Sequence, residues 1–494
     1  MHKKFRMPYL GNGAASNSLL LMFVSIVTTL VSMVISKMLS VQFSLFEYGT
    51  YSQAMLLHTT VTSVTSLGLG NATNYFYNKS NEVDEQQRYV STLLFIEEII
   101  GLACAVLILC FREFIALYFN NRDLENLVII VAFMPLLSHL ITTYQNLFVS
   151  IGKAKTIAVR NLLVSVVRLI SVIIASFVIH DVKIVLIVLL ALDIGQLLYF
   201  YFAFRSYKFT ISLKLFTPEL IKGILQFSIP LSIYVVSGSL NNDIDKYVVG
   251  YFANTDTLAV YTNASKRLPF DVITTSFITI LIPIMTRLLN NQQTEDAKGL
   301  FSSYLRLGCI VSIICGGGCI AFANRLMVLL YDEKYLPGLP IFVIYIIIEM
   351  IRFANVTIVL SATGQSKIMM YTSLSMLGLN LVFNVLAFKL IGLYGPAIVT
   401  LILSVVSTGI LLHFGSKTLK CTIISLFSIK EILIIGLQAI LLGFGMNILM
   451  NYLEKLITVP TVATLGILAI YGIILLSSNI RIWKPYISKI NKYK

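Results

Sequence analysis

A chain of 494 residues that is 57% hydrophobic and only 12% charged, with a mean hydropathy of +0.86, carries too little charge for a soluble domain. Its net charge of +14 does not point to nucleic acid, because Lys and Arg gather at the ends of apolar runs and not along one face. The runs are long and continuous, without the period-two alternation of a transmembrane β-barrel, so an all-α polytopic membrane protein is expected.

The N-terminal MHKKFRMPYL is basic, but the apolar segment that follows is too long for a signal-peptide core and shows no cleavage site. It is read as a retained first span. Hydropathy places spans at 18–39, 50–70, 90–111, 126–148, 157–179, 183–204 and 220–252. The series continues at 258–286, 302–323, 338–361, 368–388, 393–414, 432–451 and 460–479. About fourteen spans put both termini on one side. Lys3, Lys4 and Arg6, Lys153 and Lys155, Arg205 to Lys222, Lys417 to Lys430 and Arg481 to Lys494 then share that side, which the positive-inside bias makes cytoplasmic. The connecting loops are short and leave no room for a soluble domain. Cys104, Cys110, Cys309, Cys315, Cys319 and Cys421 show neither CxxC nor Cys/His metal spacing, so they are expected to pack, with no metal or cofactor.

An internal repeat is visible. Tyr51-Ser-Gln-Ala54 recurs as Tyr261-Thr-Asn-Ala264, Arg112-Glu-Phe-Ile-Ala-Leu-Tyr118 as Arg325-Leu-Met-Val-Leu-Leu-Tyr331, and Gly152-Lys-Ala-Lys155 as Gly364-Gln-Ser-Lys367. The near-constant offset makes spans one to six and seven to twelve two copies of one topology, a parallel repeat about an axis along the membrane normal. The expected division is 1–210, an N-terminal six-helix lobe; 211–415, a C-terminal six-helix lobe; and 416–494, an interfacial linker, two further spans and a basic cytoplasmic tail.

Polar residues inside the spans carry the functional argument. A charge at the bilayer centre costs about 2.5–3.5 kcal/mol on insertion scales. Several facing lipid would consume a typical stability of about 5–15 kcal/mol. They must pair or face a wet interior. Ser239, Asn242, Asp243 and Lys246 share a face of span seven, which also carries Asp245; Asn263, Lys266, Arg267 and Asp271 are expected to form a second face on span eight. Asn161, Ser165 and Arg168 line span five, and Ser373, Asn380 and Asn384 line span eleven, as walls of a central cavity or as interhelical hydrogen-bond glue. Glu349 and Arg352, three apart in span ten, can pair locally. Glu97, Glu98 and Asp193 are acids that could neutralise Arg168 or bind a coupling proton or sodium ion. The excess of cations, Arg168, Lys246, Lys266, Arg267 and Arg352, suits a buried phosphate or pyrophosphate. Asp193, Asp243, Asp245, Asp271 and Glu349 would tune them or couple ions, and Asn161, Asn242, Asn263, Asn380 and Asn384 would line the path. No Walker A segment, nucleophile elbow or HExxH motif is present, so neither direct ATP drive nor catalysis is expected.

These residues fall in an order that resembles a known family. Phe46-Glu-Tyr-Gly-Thr-Tyr51 follows span one, Leu67-Gly-Leu-Gly70 lies near the end of span two, and Phe227-Ser-Ile-Pro230 opens span seven. Asp245 with the Tyr261 segment, Ile282-Pro283, Tyr335-Leu-Pro-Gly338, Gly364 with Lys367, and Gly392-Leu-Tyr-Gly395 continue it. Over residues 15–415 the chain resembles the Wzx-type flippases of O-antigen and capsular polysaccharide, within the multidrug/oligosaccharidyl-lipid/polysaccharide (MOP) exporter superfamily. The resemblance implies two six-helix lobes that alternate in access. It implies movement of an undecaprenyl-pyrophosphate-linked oligosaccharide across the inner membrane, without enzymatic activity, in contact with membrane lipids. A polysaccharide polymerase and a chain-length regulator are the implied protein partners. The rivals are a cation-coupled small-molecule or drug exporter of the same fold, a peptidoglycan-precursor flippase, and, from another class, a membrane glycan polymerase.

Overall fold

The computed structural model describes residues 12–80, 82–206, 211–268, 271–353, 355–454 and 460–492. The long helices follow from apolar runs whose backbone polar groups must be satisfied within the segment. In chain order the helices are α1 Asn12–Gln42, α2 Leu45–Thr65, α3 Leu69–Lys79, α4 Val83–Cys110, α5 Arg112–Tyr118, α6 Asp123–Val131, α7 Met134–Ser150, α8 Ala154–Ile174 and α9 Val182–Ser206. They continue as α10 Pro218–Phe252, α11 Thr255–Ala264, α12 Asp271–Asn290, α13 Thr294–Ala321, α14 Ala323–Leu330, α15 Leu339–Ile351 and α16 Ile358–Ala362. The last are α17 Ser366–Ile391, α18 Tyr394–Thr418, α19 Ile423–Leu426, α20 Ile429–Leu453, α21 Pro460–Ser478 and α22 Ile480–Asn491.

Among the described residues ten helical stretches are long and apolar enough to cross a membrane, or twelve if each of two bent pairs is one span. These account for the expected series apart from 50–70 and 258–286. The first is interrupted between α2 and α3, where Leu67 and Gly68 both take positive φ. The second stops at Ala264. Ser265 caps α11 through its backbone N–H, and Leu268 precedes Pro269, which disfavours helix at the residue before it and offers no N–H itself. Lys266 and Arg267 therefore lie in a break and not on one helical face, which corrects the sequence expectation. Span ten likewise ends at Ile351, so that Arg352 caps α15.

The repeat landmarks share local geometry. Gly152 and Gly364, 212 positions apart, take φ of 80° and 70°. Each sits just before a long helix, α8 and α17, in a left-handed turn that glycine enters without steric cost. Arg112 opens α5 directly after α4, and α14, which carries Arg325, directly follows α13.

Two compact units result. The first comprises Met1–Gln42, Leu57–Arg112 and Asn126–Ser232. Its core gathers Val90 and Leu94 of α4, Ile141, Leu147 and Phe148 of α7, Ile157 of α8, and Phe200 and Phe204 of α9. The second comprises Phe43–Leu56, Glu113–Glu125 and Ile233–Lys494. Its two short segments are joined by Asn121, whose Nδ2 donates to Thr50 Oγ1 at 2.8 Å and to Gln53 Oε1 at 2.7 Å.

Within the second unit α20 and α21 pack on α13 around Ile310, Ile314, Ile435, Ala439, Tyr471 and Leu475. Gly317 and Gly318 make room for that contact, since a Cβ at Gly317 would meet Tyr471 Oη, and one at Gly318 Tyr471 Cε1, each at 2.9 Å. At the far end Arg325 Nε donates to Glu454 Oε1 at 2.6 Å, and its other nitrogens donate to Asn447 and Asn451 of α20. The final hairpin is thus fastened through Tyr471 of α21 and, separately, at the C-terminal end of α20.

Gly318→Val should lower the melting temperature of the detergent-solubilised protein, consistent with an overpacking cost of about 1–3 kcal/mol. Gly445→Val, at a position with nothing within 4 Å, should leave it unchanged; fluorescence-detected thermal unfolding of both variants checks the pair.

Candidate functional site

The site begins with one segment of α10, in which Asn241, Asn242, Asp243, Asp245 and Lys246 follow almost without interruption. Successive residues on an α-helix turn by about 100°, so these side chains face different neighbours. Each finds a partner within the second unit.

Asn241 faces α17. Its Nδ2 donates to the Ser373 carbonyl at 3.1 Å, while Asn380 Nδ2 donates to the Asn241 carbonyl and Oδ1 at 3.2 and 3.3 Å. Asn384 Nδ2 continues the ladder to Asn380 Oδ1 at 2.9 Å. Both α17 asparagines are buried, and the stripe read from sequence is a hydrogen-bonded rail between α10 and α17.

Asp243 and Lys246 pair along their own helix at 2.6 Å, and Lys246 Nζ also donates to the Asn242 carbonyl at 2.9 Å. Asp245 is fully buried. Its Oδ1 accepts from the Lys246 backbone N–H at 2.9 Å; its Oδ2 accepts from Tyr261 of α11 at 2.9 Å and from Tyr345 of α15. Three donors on one carboxylate offset its desolvation without a cation.

Asn242 is where cations meet. Its Oδ1 accepts from Arg352 Nη1 at 3.0 Å and from Arg267 Nη2. Arg352 Nη2 donates further to Ser404 Oγ of α18 at 2.8 Å. Arg267 Nε lies 3.4 Å from Glu349 Oε1, with the arginine side chain 44% exposed and the glutamate 4%. Two guanidinium groups thus converge on one neutral acceptor, with the Glu349 carboxylate beside Arg267 and the tyrosine-bound Asp245 carboxylate near enough to act on Arg352. The arginine end of this pair is open and the glutamate end is buried, so an arriving anion can reach the open side of Arg267 while Glu349 stays in place.

Lys266 turns elsewhere, although it is Arg267's neighbour in sequence. Its Nζ donates to Tyr48 Oη at 2.8 Å and lies 5.5 and 5.7 Å from the ring centroids of Tyr48 and Tyr331, within cation–π range. Tyr48 donates in turn to Asn263 Oδ1 at 2.7 Å, both residues being buried. Asp271 opens α12, but its side chain lies outside the described residues.

The first unit holds the remaining predicted residues. Arg168 Nη2 and Asp193 Oδ1 are 3.4 Å apart, and Gln196 Nε2 donates to the same oxygen at 2.8 Å. Gln196 Oε1 accepts from Arg160 Nη2, and Arg160 Nη1 donates to Asn161 Oδ1 at 3.0 Å. A polar chain therefore joins α8 to α9. Arg160 and Gln196 were missed from sequence, although their spacing was a usable signal: Arg160 lies two turns before Arg168, and Gln196 one turn after Asp193. Tyr48 and Tyr261 entered the sequence reading only within landmark segments, and Tyr345 was missed because tyrosine within an apolar run gives no polar signal.

Removing one tyrosine hydroxyl strands part of a buried carboxylate. Tyr345→Phe is therefore expected to destabilise the protein by about 1–3 kcal/mol, and Tyr345→Phe with Asp245→Asn by less than the sum of the two single changes. A double-mutant cycle on thermal unfolding checks this; strict additivity would remove Asp245 from the account.

This geometry sits on a known architecture. The structure resembles that of the lipid II flippase MurJ in an inward closed conformation, with a TM-score of 0.72 and 16% identity, over 94% of this chain and 99% of that one. It also resembles an inward-facing multidrug resistance MATE family transporter of the MOP superfamily, with a TM-score of 0.67 and 12% identity, over 82% and 98% of the respective chains. At these identities the likeness is one of fold. In sequence, a probable lipid II flippase MurJ of Rickettsia prowazekii (strain Madrid E) is 23% identical over 253 residues. That match spans 47% of this chain and 48% of the relative, so the chain spans about half the length of the curated relative it matches. A family model described as polysaccharide biosynthesis protein matches residues 34–340, more than half of the chain. The chain therefore belongs to the polysaccharide biosynthesis protein family, with the fold of the MOP superfamily.

Proposed function

We propose that the protein is a flippase that carries an undecaprenyl-pyrophosphate-linked oligosaccharide, an O-antigen or capsule repeat unit, across the inner membrane by alternating access. The observation that carries this reading is the convergence of Arg267 and Arg352 on Asn242 Oδ1. A guanidinium presents paired N–H groups in a planar fork that matches phosphate oxygens, and it stays charged at any working pH. Asn242 holds the two forks close together without neutralising them. A pyrophosphate oxygen can bind the exposed side of Arg267 beside the Glu349 carboxylate. The bound headgroup then shares the fork that joins the α11–α12 break to α15, and so acts on that contact. A ligand shifts a conformational equilibrium only through such differential contacts.

The functional proposal extends to the other site residues. Arg168 with Asp193 forms a second cationic station in the first unit, and Asp243 and Asp245 tune the charge of α10. Two lobes, 1–210 and 211–415, move as the alternating elements, with both termini in the cytoplasm. A polysaccharide polymerase and a chain-length regulator take the product on the far side.

A second reading, flipping of a peptidoglycan precursor, is favoured by the likeness to a probable lipid II flippase. Both cargoes present the same pyrophosphate to the same arginines, so the phenotype separates them.

Arg267→Ala and Arg352→Ala should each abolish surface-polysaccharide display while leaving the amount of protein in the membrane unchanged, and Arg168→Ala should do the same. Each lost charged hydrogen bond is worth about 1.5–3 kcal/mol, roughly 10- to 150-fold in headgroup affinity. Display is read by polysaccharide gels and protein by immunoblot of the membrane fraction. Normal display in the Arg267 and Arg352 variants would overturn the assignment. Lysis on depletion, with display intact until then, would select the peptidoglycan-precursor cargo, and lost drug resistance alone would select a small-molecule exporter.

A further inference from the structure

Away from the α10 cluster, an open groove of about 600 Å³ runs between α8 and α9 of the first unit. Its walls are apolar, built from Val159, Leu163, Val164 and Val167 of α8 with Ala191 and Leu192 of α9. The charged groups gather toward one end, at Lys155 and Arg160. The helices run in opposite directions there, since Arg160 reaches Gln196 while Arg168, two turns on, reaches back to Asp193.

Arg160 is an unusual lining residue. It is 6% exposed, and its guanidinium lies 4.6 Å from the Phe200 ring centroid. Nη1 and Nη2 donate to the amide oxygens of Asn161 and Gln196, but Nε is buried and has no acceptor among the described residues. Asp193 already accepts from Gln196 and Arg168. A guanidinium that lines the groove and is held by two neutral amide oxygens keeps its charge available to an anion there. Lys155 is exposed, about one and a half turns nearer the start of α8. In a helix the side chain leans toward the N-terminus, which brings Arg160 toward Lys155.

We propose that this groove is a binding site for an anionic glycerophospholipid, its phosphate held by Lys155 and Arg160 and one acyl chain lying along Val159, Leu163 and Val167. The dimensions favour that occupant. From Lys155 to Val167 the groove wall is about 18 Å long at ~1.5 Å per residue, close to the ~15 Å depth of one leaflet of hydrocarbon. A single acyl chain fits this length, whereas a polyprenyl carrier would overrun the end. The charge is complementary to an acidic headgroup and indifferent to the zwitterionic kind. The site stands whichever cargo crosses the membrane.

The test is native mass spectrometry of the full-length protein, delipidated in detergent and titrated in parallel with dioleoyl phosphatidylglycerol, dioleoyl phosphatidylcholine and undecaprenyl phosphate. One phosphatidylglycerol per chain should survive collisional activation that strips phosphatidylcholine. Lys155→Gln with Arg160→Gln should weaken that retention roughly tenfold, a loss of about 1.4 kcal/mol. Leu163→Trp, which fills the groove and leaves both cations in place, should abolish it and keeps the test decisive if the double variant fails to fold. Retention of phosphatidylglycerol by Leu163→Trp at the wild-type level overturns the proposal. So does equal retention of the two phospholipids, or a preference for undecaprenyl phosphate that Leu163→Trp removes, which would give the groove to the carrier lipid.

Discussion

Polar groups carried into an apolar surrounding must find partners there, and the polar segment of α10 meets that constraint in a particular way. Asp245 is satisfied by tyrosines and a backbone N–H, Asp243 by Lys246, and Asn241 by the α17 asparagines. Asn242 differs from these. Its amide oxygen is shared by two arginines, of which Arg267 alone pairs directly with a carboxylate, Glu349, among the described residues. A helix buried among others can hold such an arrangement only where solvent or a ligand reaches it, and the half-exposed Arg267 side chain supplies that access.

The break between α11 and α12 is what makes this arrangement possible. A continuous helix would hold Lys266 and Arg267 about 100° apart on one rigid cylinder. With the helix ended at Ala264, the two side chains diverge to separate tasks. Lys266 enters the tyrosine cluster and ties the Phe43–Leu56 segment to α11 through Tyr48 and Asn263, whereas Arg267 reaches back to α10 and α15. Interruptions of this kind within apolar runs are tolerated where neighbouring groups recapture the freed backbone and side-chain polar atoms. The two arginines are thereby held together by a neutral amide beside that break.

The final hairpin and the α8–α9 groove show that the same rules shape surfaces away from the cluster. The hairpin is fastened by close glycine–tyrosine packing at one level and by the Arg325 fan at another. The groove is lined instead by a buried arginine whose hydrogen-bond acceptors are two neutral amides.

Helix type, and the places where most spans fall, were legible in the chain because length and composition alone require backbone hydrogen bonds to close within each segment. The turns at Gly152 and Gly364 were legible as repeat landmarks, and their left-handed φ values suit glycine. The Asn380 and Asn384 stripe was also readable, since residues four apart share a face whatever they pack against. Pairings across the fold were not. Asn242 and Arg352 lie 110 positions apart, Tyr48 and Asn263 215, and no periodicity links them. Tyr345 looked like one more apolar residue until α15 was set beside Asp245. Sequence by itself determined an all-helical membrane chain with charged residues that needed partners. Which cation keeps its charge available, and which is spent on a tyrosine or an aspartate, was decided by tertiary packing, because that choice depends on the side chains that distant helices bring within about 3 Å.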